Sequence, residues 1–284
     1  MATYGMLIDE TKCTGCRACQ VACKQWNDLP GEKTFNTGTY QNPPHLSAST
    51  WNLIEFREIE RGDDVGFYFV KRACMHCEHP ACVSVCPVGA LKKTAQGPVV
   101  YDEAKCIGCR YCMAACPFGV PTFQWDKGLL GQPVIRKCSF CVDRVSNGLT
   151  PSCAKACPST VITFGERSTL VAEAQARLAK NPGRYVNHVY GLNEAGGTSI
   201  LYLASVPFEQ LGLPTLGSEP VTRLSENVMS QTIPFAIGWT ALLAGLYGVV
   251  RLRERGRLKV SAATATVPDA MPLPDNDNDK EAPK

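Results

Sequence analysis

Sixteen of the 284 residues are cysteines, and all of them fall into four runs. Cys13, Cys16, Cys19 and Cys23 are separated by two, two and three residues, and Cys106, Cys109, Cys112 and Cys116 repeat that spacing. Cys74, Cys77, Cys82 and Cys86 widen the second gap by two residues, and Cys138, Cys141, Cys153 and Cys157 widen it to eleven. The chemistry that calls for such a run is a cuboidal 4Fe-4S cluster. Three thiolates on a short loop grip one cube, while the fourth points away and ligates a neighbouring cube. Each run therefore needs a partner run.

Two other chemistries use cysteines in even numbers. A disulfide framework suits short exported scaffolds. Here three cysteines crowd into residues 13–19 and again into 106–112, which would force strained pairings. Structural zinc uses paired C-x2-C knuckles. It needs neither a third cysteine three residues on nor the proline that follows Cys86, Cys116 and Cys157.

An internal repeat identifies the partners. DETKCTGC (9–16) resembles DEAKCIGC (102–109), and CPSTVITFGE (157–166) resembles CPVGALKKTA (86–95). The second and third runs form a contiguous two-cluster ferredoxin unit, and the first and fourth form its permuted, nested copy. Exchange of the fourth cysteine then defines four ligand sets. Cluster A takes Cys13, Cys16, Cys19 and Cys157, and cluster B takes Cys23, Cys138, Cys141 and Cys153. Cluster C takes Cys74, Cys77, Cys82 and Cys116, and cluster D takes Cys86, Cys106, Cys109 and Cys112.

Gly15 and Gly108 share an offset from their first cysteine and mark where the loop wraps closely and offers N–H groups to sulfur. His76 and His79 lie between cysteines and read as neighbours of the clusters, since the cysteine set is complete without them. Arg110, Arg136, Lys137 and Arg144 can offset cluster charge or face solvent, and no role is assigned to them. Asp9 and Asp102, equivalent in the repeat, read as loop-fixing carboxylates. No catalytic constellation emerges: GLNEAGGTS (191–199) lacks the spacing of a phosphate loop. Four redox centres without a substrate site describe an electron conduit.

The elements that hold these loops are short. WNLIEFREIE (51–60) alternates apolar and polar residues, RGDD turns, and VGFYFVKR returns, which predicts a hairpin over the cluster core. RSTLVAEAQARLAK (167–180) places Leu170, Val171, Ala174 and Leu178 on one helical face, with Ser168 as N-cap and Pro182-Gly183 as the stop. The fold class expected is α+β, two pseudo-symmetric ferredoxin-like units with loop insertions. With 45% apolar residues, 19% charged residues and a net charge of +3, nucleic acid is not expected as a partner.

Residues 227–250 carry no charge, and Ile233 to Val250 is about long enough to cross a bilayer. One C-terminal transmembrane helix is expected. The chain divides into a four-cluster domain (1–165), a partner-contacting extension (166–230), the transmembrane helix (231–252), and a basic flank with a disordered Pro- and Asp-rich tail (253–284). Arg251, Arg253, Arg255, Arg257 and Lys259 follow the helix, which predicts a cytoplasmic C-terminus and a periplasmic cluster domain at the inner membrane. The N-terminus lacks the pattern of a signal peptide.

Taken together, the four runs, GTYQNPPHLSASTW (38–51), CMHCEHPAC (74–82), KCSFCVDRVSNGLTPSC (137–153), EAGGTSILYL (194–203) and the terminal helix resemble the iron-sulfur beta subunit of membrane-bound respiratory formate dehydrogenase. CVSVCPVGALKK (82–93), GCRYCMAACPFGVP (108–121) and VPFEQLGLP (206–214) are similar to the iron-sulfur subunit of membrane-bound uptake hydrogenases. The first resemblance implies a hetero-oligomer in which four 4Fe-4S clusters link a molybdenum or tungsten catalytic alpha subunit to a membrane cytochrome b gamma subunit that reduces quinone. It also implies export of the folded chain with a partner that carries a twin-arginine signal.

Overall fold

The apolar stretch YGMLID forms β1 (Tyr4–Asp9), and Gly5 through Asp9 are buried because a strand flanks it on either side. In the computed structural model, residues 3–36, 38–124 and 135–264 are described. After β1 come α1 (Ala18–Trp26), the hairpin strands β2 (Leu53–Arg61) and β3 (Asp64–Arg72), α2 (Ala81–Ser84), β4 (Leu91–Lys93) and β5 (Val99–Tyr101). There follow α3 (Tyr111–Ala115), β6 (Thr122–Phe123), β7 (Ile135–Arg136), α4 (Val142–Ser146), α5 (Ser152–Lys155), β8 (Ile162–Glu166), α6 (Arg167–Lys180), β9 (Ile200–Leu203) and α7 (Arg223–Thr264).

Met1–Glu226 and Asn227–Lys284 form two compact units. In the first, β1 pairs antiparallel with β8, Tyr4 opposite Glu166 to Ile8 opposite Ile162, and parallel with β9, Met6 opposite Ile200 to Asp9 opposite Leu203. The pairing of β4 with β5, Leu91 opposite Tyr101, is the counterpart of β1 with β8: each joins the strand before one cysteine run to the strand after its partner run. The helices repeat the relation, α1 packing on α5 and α2 on α3. The class is α+β, two ferredoxin-like units followed by a long apolar C-terminal helix.

The expected hairpin is present. β2 and β3 pair from Leu53 opposite Arg72 to Arg61 opposite Asp64, and Gly62 takes φ +61° in the two-residue turn, a geometry that glycine adopts at no steric cost. Helix α6 also uses the expected face. Leu170 and Ala174 are buried with Leu7, Leu201 and Leu203, and Val171 and Leu178 pack against them. Its start differs from expectation. The residue before the helix is Glu166, still paired in β8, and Ser168 lies in the first turn, where its hydroxyl donates to Glu166 Oε1 at 3.0 Å. The helix springs directly from the strand because Arg167 N–H is already taken by Thr3 C=O at 2.8 Å. The stop is as expected: the helix ends at Lys180, and Gly183 turns at φ +90°.

In the second unit, α7 is long and apolar enough to span a bilayer. Its large side chains are exposed, among them Ile233, Phe235 and Leu246, and the expected segment 231–252 lies inside it. The helix runs to Thr264, into the first residues of the stretch expected to be disordered. The rest of that tail, 265–284, lies outside the described residues.

Candidate iron-sulfur centres

Each C-x-x-C loop bends at the same place. The residue before the second cysteine takes a left-handed backbone in all four runs: Gly15 (φ +68°), His76 (+47°), Gly108 (+69°) and Phe140 (+62°). This bend turns successive N–H groups inward, a concavity suited to anionic sulfur. Gly108 N–H lies 3.4 Å from Cys106 Sγ, Phe140 N–H lies 3.4 Å from Cys138 Sγ, and Gly15 N–H bonds the Cys13 sulfur. Sequence reasoning found the two glycines but not His76 and Phe140, because a histidine or phenylalanine gives no cue of a positive φ. At Gly15 the crowding comes from the Phe69 ring, which an added Cβ would meet at 2.8 Å.

The Cys-Pro pairs have their own geometry. Proline stops the short helix, and the chain turns back so that the N–H four residues on reaches the sulfur. Ala90 N–H meets Cys86 Sγ at 3.2 Å, and Val161 N–H meets Cys157 Sγ at 3.3 Å. Val120 N–H does the same for Cys116. The run without proline continues as α1, and there Asn27 Nδ2 approaches Cys23 Sγ at 3.7 Å.

The thiols lie in groups. One cavity is lined by Cys13, Cys16, Cys19 and Cys157. A second is lined by Cys23, Cys138, Cys141 and Cys153. In the other unit, burial raises the Cys77 thiol pKa, and Cys74, Cys116 and Cys82 raise it further. Burial likewise pushes Cys112 up to about 11, with Cys109, Cys106 and Cys86 beside it. Adjacent sets also meet: Cys19 acts on Cys153, Cys74 on Cys138, and Cys112 on Cys82.

All sixteen thiols are free, and the donor set fits a cube. Burial pushes Cys13 up to about 12, so a thiolate there is unfavourable until a metal neutralises it. Among the described residues, no three His, Cys, Asp or Glu side chains converge on a point as the ligands of a single ion do. Four zinc thiolates would all sit about 2.3 Å from one ion. A cube gives each thiolate its own iron and so tolerates wider spacing.

The neighbouring residues fix the loops. Asp9 is fully buried and accepts from Thr11 (2.6 Å), Tyr185 (3.0 Å) and Arg177 (3.0 Å). Asp102 accepts from Ala104 N–H at 3.1 Å. His76 is buried edge-on to Phe140, centroids 4.9 Å apart, and its Nδ1 accepts from Val99 N–H at 3.0 Å. His79 lies against the loop at Gly196. Of the four unassigned cations, Arg136 pairs with Glu103 at 2.9 Å, and Arg144 covers the Trp26 ring at 4.2 Å. Lys137 donates to the Val99 and Cys138 carbonyls, and Arg110 covers the Phe123 ring at 5.4 Å.

Residues 65–167 match one family model and residues 12–90 another, each described as a 4Fe-4S dicluster domain. The chain is a 4Fe-4S electron-transfer protein of the ferredoxin-like class. It is 38% identical to the iron-sulfur subunit of the nitrate-inducible formate dehydrogenase of Escherichia coli K12, covering 86% of this chain and 83% of that one. It is 37% identical to the formate dehydrogenase iron-sulfur subunit of Haemophilus influenzae, covering 83% and 77%. It is also 37% identical to the hydrogenase-2 operon protein HybA of Escherichia coli O157:H7, covering 88% and 84%. The chain belongs to the family of iron-sulfur subunits that these proteins represent.

Proposed function

We propose that this chain is the beta subunit of a membrane-anchored formate dehydrogenase. In this reading it passes electrons from a molybdenum or tungsten catalytic alpha subunit to a cytochrome b gamma subunit and quinone. Four bound 4Fe-4S clusters would supply the one-electron steps. Cys13, Cys16, Cys19 and Cys157 hold cluster A, and Cys23, Cys138, Cys141 and Cys153 hold cluster B. Cys74, Cys77, Cys82 and Cys116 hold cluster C, and Cys86, Cys106, Cys109 and Cys112 hold cluster D. The observation that carries this reading is the pair of four-thiol cavities in which one cysteine of each set comes from the distant run. The chain's own part is to fix the thiols, aim backbone N–H groups at their sulfurs, and keep all but the outer cysteines out of water.

The similarity to HybA supports a second reading, the electron-transfer subunit of a hydrogenase-type complex. Purification of the native complex under anaerobic conditions tests both. About sixteen irons per chain with formate-driven quinone reduction is the expected outcome. Hydrogen-driven reduction with no formate activity would favour the second reading, and stoichiometric zinc in place of iron would overturn both.

The proposal includes an orientation. The basic residues after the apolar stretch keep the C-terminus in the cytoplasm, with α7 as anchor, residues 166–230 meeting the partners, and the cluster domain in the periplasm. Export of the folded chain then depends on a partner with a twin-arginine signal. Protease added to right-side-out spheroplasts should reach the cluster domain. Protection until the membrane is broken would reverse the topology.

A further inference from the structure

Trp51 stands where three hollows meet. The cavity of Cys23, Cys138, Cys141 and Cys153 is also lined by Trp51 and Asn27. The same two residues line a surface groove with Leu29, Glu32 and Ser49, on whose rim Asp28, Pro30 and Gly31 are exposed. Trp51 further lines a smaller hollow with Tyr101, Arg136 and Ser139. Among the described residues it is the only one common to all three.

The loop before β2 holds this side chain still. The Glu32 carboxylate accepts from the Ser49 hydroxyl at 2.8 Å and from the Ser47 and Thr50 hydroxyls, and it lies 3.7 Å from the Lys24 ammonium. Thr50 and Asn52, on either side of Trp51, are buried, and Asn52 Nδ2 donates to Cys19 C=O at 2.8 Å. Trp51 Nε1–H donates to Ala48 C=O at 2.8 Å. That is the only polar atom of an indole, so the ring has nothing but apolar surface left to offer. Asn27, its neighbour in the wall, is tied to Cys23 C=O at 2.8 Å.

The cavity behind the wall is otherwise secluded. Cys23, Cys141 and Cys153 are buried, whereas Cys16 of set A and Cys109 of set D are exposed. We propose, on the four-cluster reading above, that Trp51 is the wall that keeps water from cluster B and so holds its reduction potential down. A cluster that accepts an electron gains one negative charge, and water stabilises that charge better than an indole face does. Removing the indole joins the groove to the cavity. Cluster B then becomes easier to reduce, while A, C and D serve as internal references.

The test is an EPR-monitored redox titration of the purified holo-complex, comparing the parent with Trp51→Ala and Trp51→Phe after iron has been counted in each. Cluster B is identified by the signal that Cys23→Ser alters. In Trp51→Ala the reduced-to-oxidised ratio of B at a given potential should rise by about tenfold, 59 mV for a one-electron couple. Trp51→Phe keeps an apolar ring and should stay within about threefold of the parent. A second readout follows the water itself. In water labelled with the magnetic isotope of oxygen, pulsed EPR should show coupling to that oxygen at B in Trp51→Ala and none in the parent. An unmoved B in a fully loaded Trp51→Ala, an equal move in Trp51→Phe, a move of all four clusters together, or oxygen coupling at B in the parent would overturn the proposal.

If Trp51→Ala loses iron, Trp51→Gln takes its place in both measurements. Iron lost from Trp51→Phe as well makes Trp51 a packing residue and overturns the proposal. Where only Trp51→Phe holds cluster B, the isotope measurement on the parent decides: no coupling at B supports the wall, and coupling overturns it. A parent complex that never holds four clusters defeats the four-cluster reading instead.

Discussion

Asp9 and Asp102 begin the two copies of one repeated segment, yet their surroundings have little in common. Asp9 is fully buried and takes Arg177, Tyr185 and Thr11, while Asp102 has an exposed side chain that meets Lys105 at 2.9 Å. Their neighbours diverge as well. Glu10 is half-buried as a residue, but its Oε2 is sealed from solvent without a partner, whereas Glu103 pairs with Arg136 nearer the surface. The outer cysteines do not diverge: Cys16 and Cys109, equivalent in the repeat, are both exposed. A short repeated segment thus dictates the ligand loop, and the elements packed against it dictate everything around the loop. The nested unit is overlaid by the β2–β3 hairpin, β9 and α6, while the contiguous unit rests on the short β4–β5 pair.

The largest effect should come from breaking the exchange that the two units share. Cys157→Ser is expected to disable the cluster of Cys13, Cys16 and Cys19, and Cys116→Ser that of Cys74, Cys77 and Cys82, each lowering the iron content by up to about four per chain. Iron analysis with EPR separates the cases. Damage confined to the mutated residue's own run would rule out the exchange.

The next effect separates the units. Asp9→Asn removes the charge that Arg177 and Lys12 share inside the fold, and should cost about 2 kcal/mol of stability, the range for buried charged hydrogen bonds. Asp102→Asn should leave stability unchanged. Denaturation followed through cluster absorbance checks the pair, and equal losses would show that the surroundings do not matter. A smaller contrast holds at the glycines. Gly15→Ala should cost about 2 kcal/mol, because a left-handed φ and the Phe69 ring both oppose a Cβ. Gly108→Ala, at a left-handed φ of +69°, should cost about 1 kcal/mol on that count. Matched losses would remove Phe69 from the explanation.

Much of this was legible from residue order. The cysteine spacing and the DETKC and DEAKC repeat marked the ligand loops, and alternation marked β2 and β3. Three features were not legible, each for a physical reason. The pairing of β1 with β9 is parallel and joins distant segments, which no local pattern encodes. The left-handed backbone at His76 and Phe140 is set by the loop it closes, and side-chain identity does not announce it. Lys71, at the polar end of VGFYFVKR, reads as a solvated residue, because its burial depends on Tyr202 and Glu10 arriving from elsewhere in the chain.

The smallest expected effect is a pH dependence that Glu10 gives the nested unit. Burial is the main cause of the raised pKa of Glu10, from 4.5 to about 8, and the hydrogen bond from Lys71 N–H offsets only part of it. The folded state therefore holds a proton on Glu10 over a range in which the unfolded chain has released it. With a raised folded pKa, this contribution to stability is fully present below pH 4.5 and fades as pH climbs to about 8. Glu10→Gln keeps the neutral shape at every pH. The variant should match the parent at the acid end of the accessible range and exceed it in denaturant midpoint above about pH 8. A Glu10→Gln curve parallel to the parent from pH 5 to 9 would mean that the carboxyl ionises freely in the folded protein, and burial in the nested unit would then not set its charge.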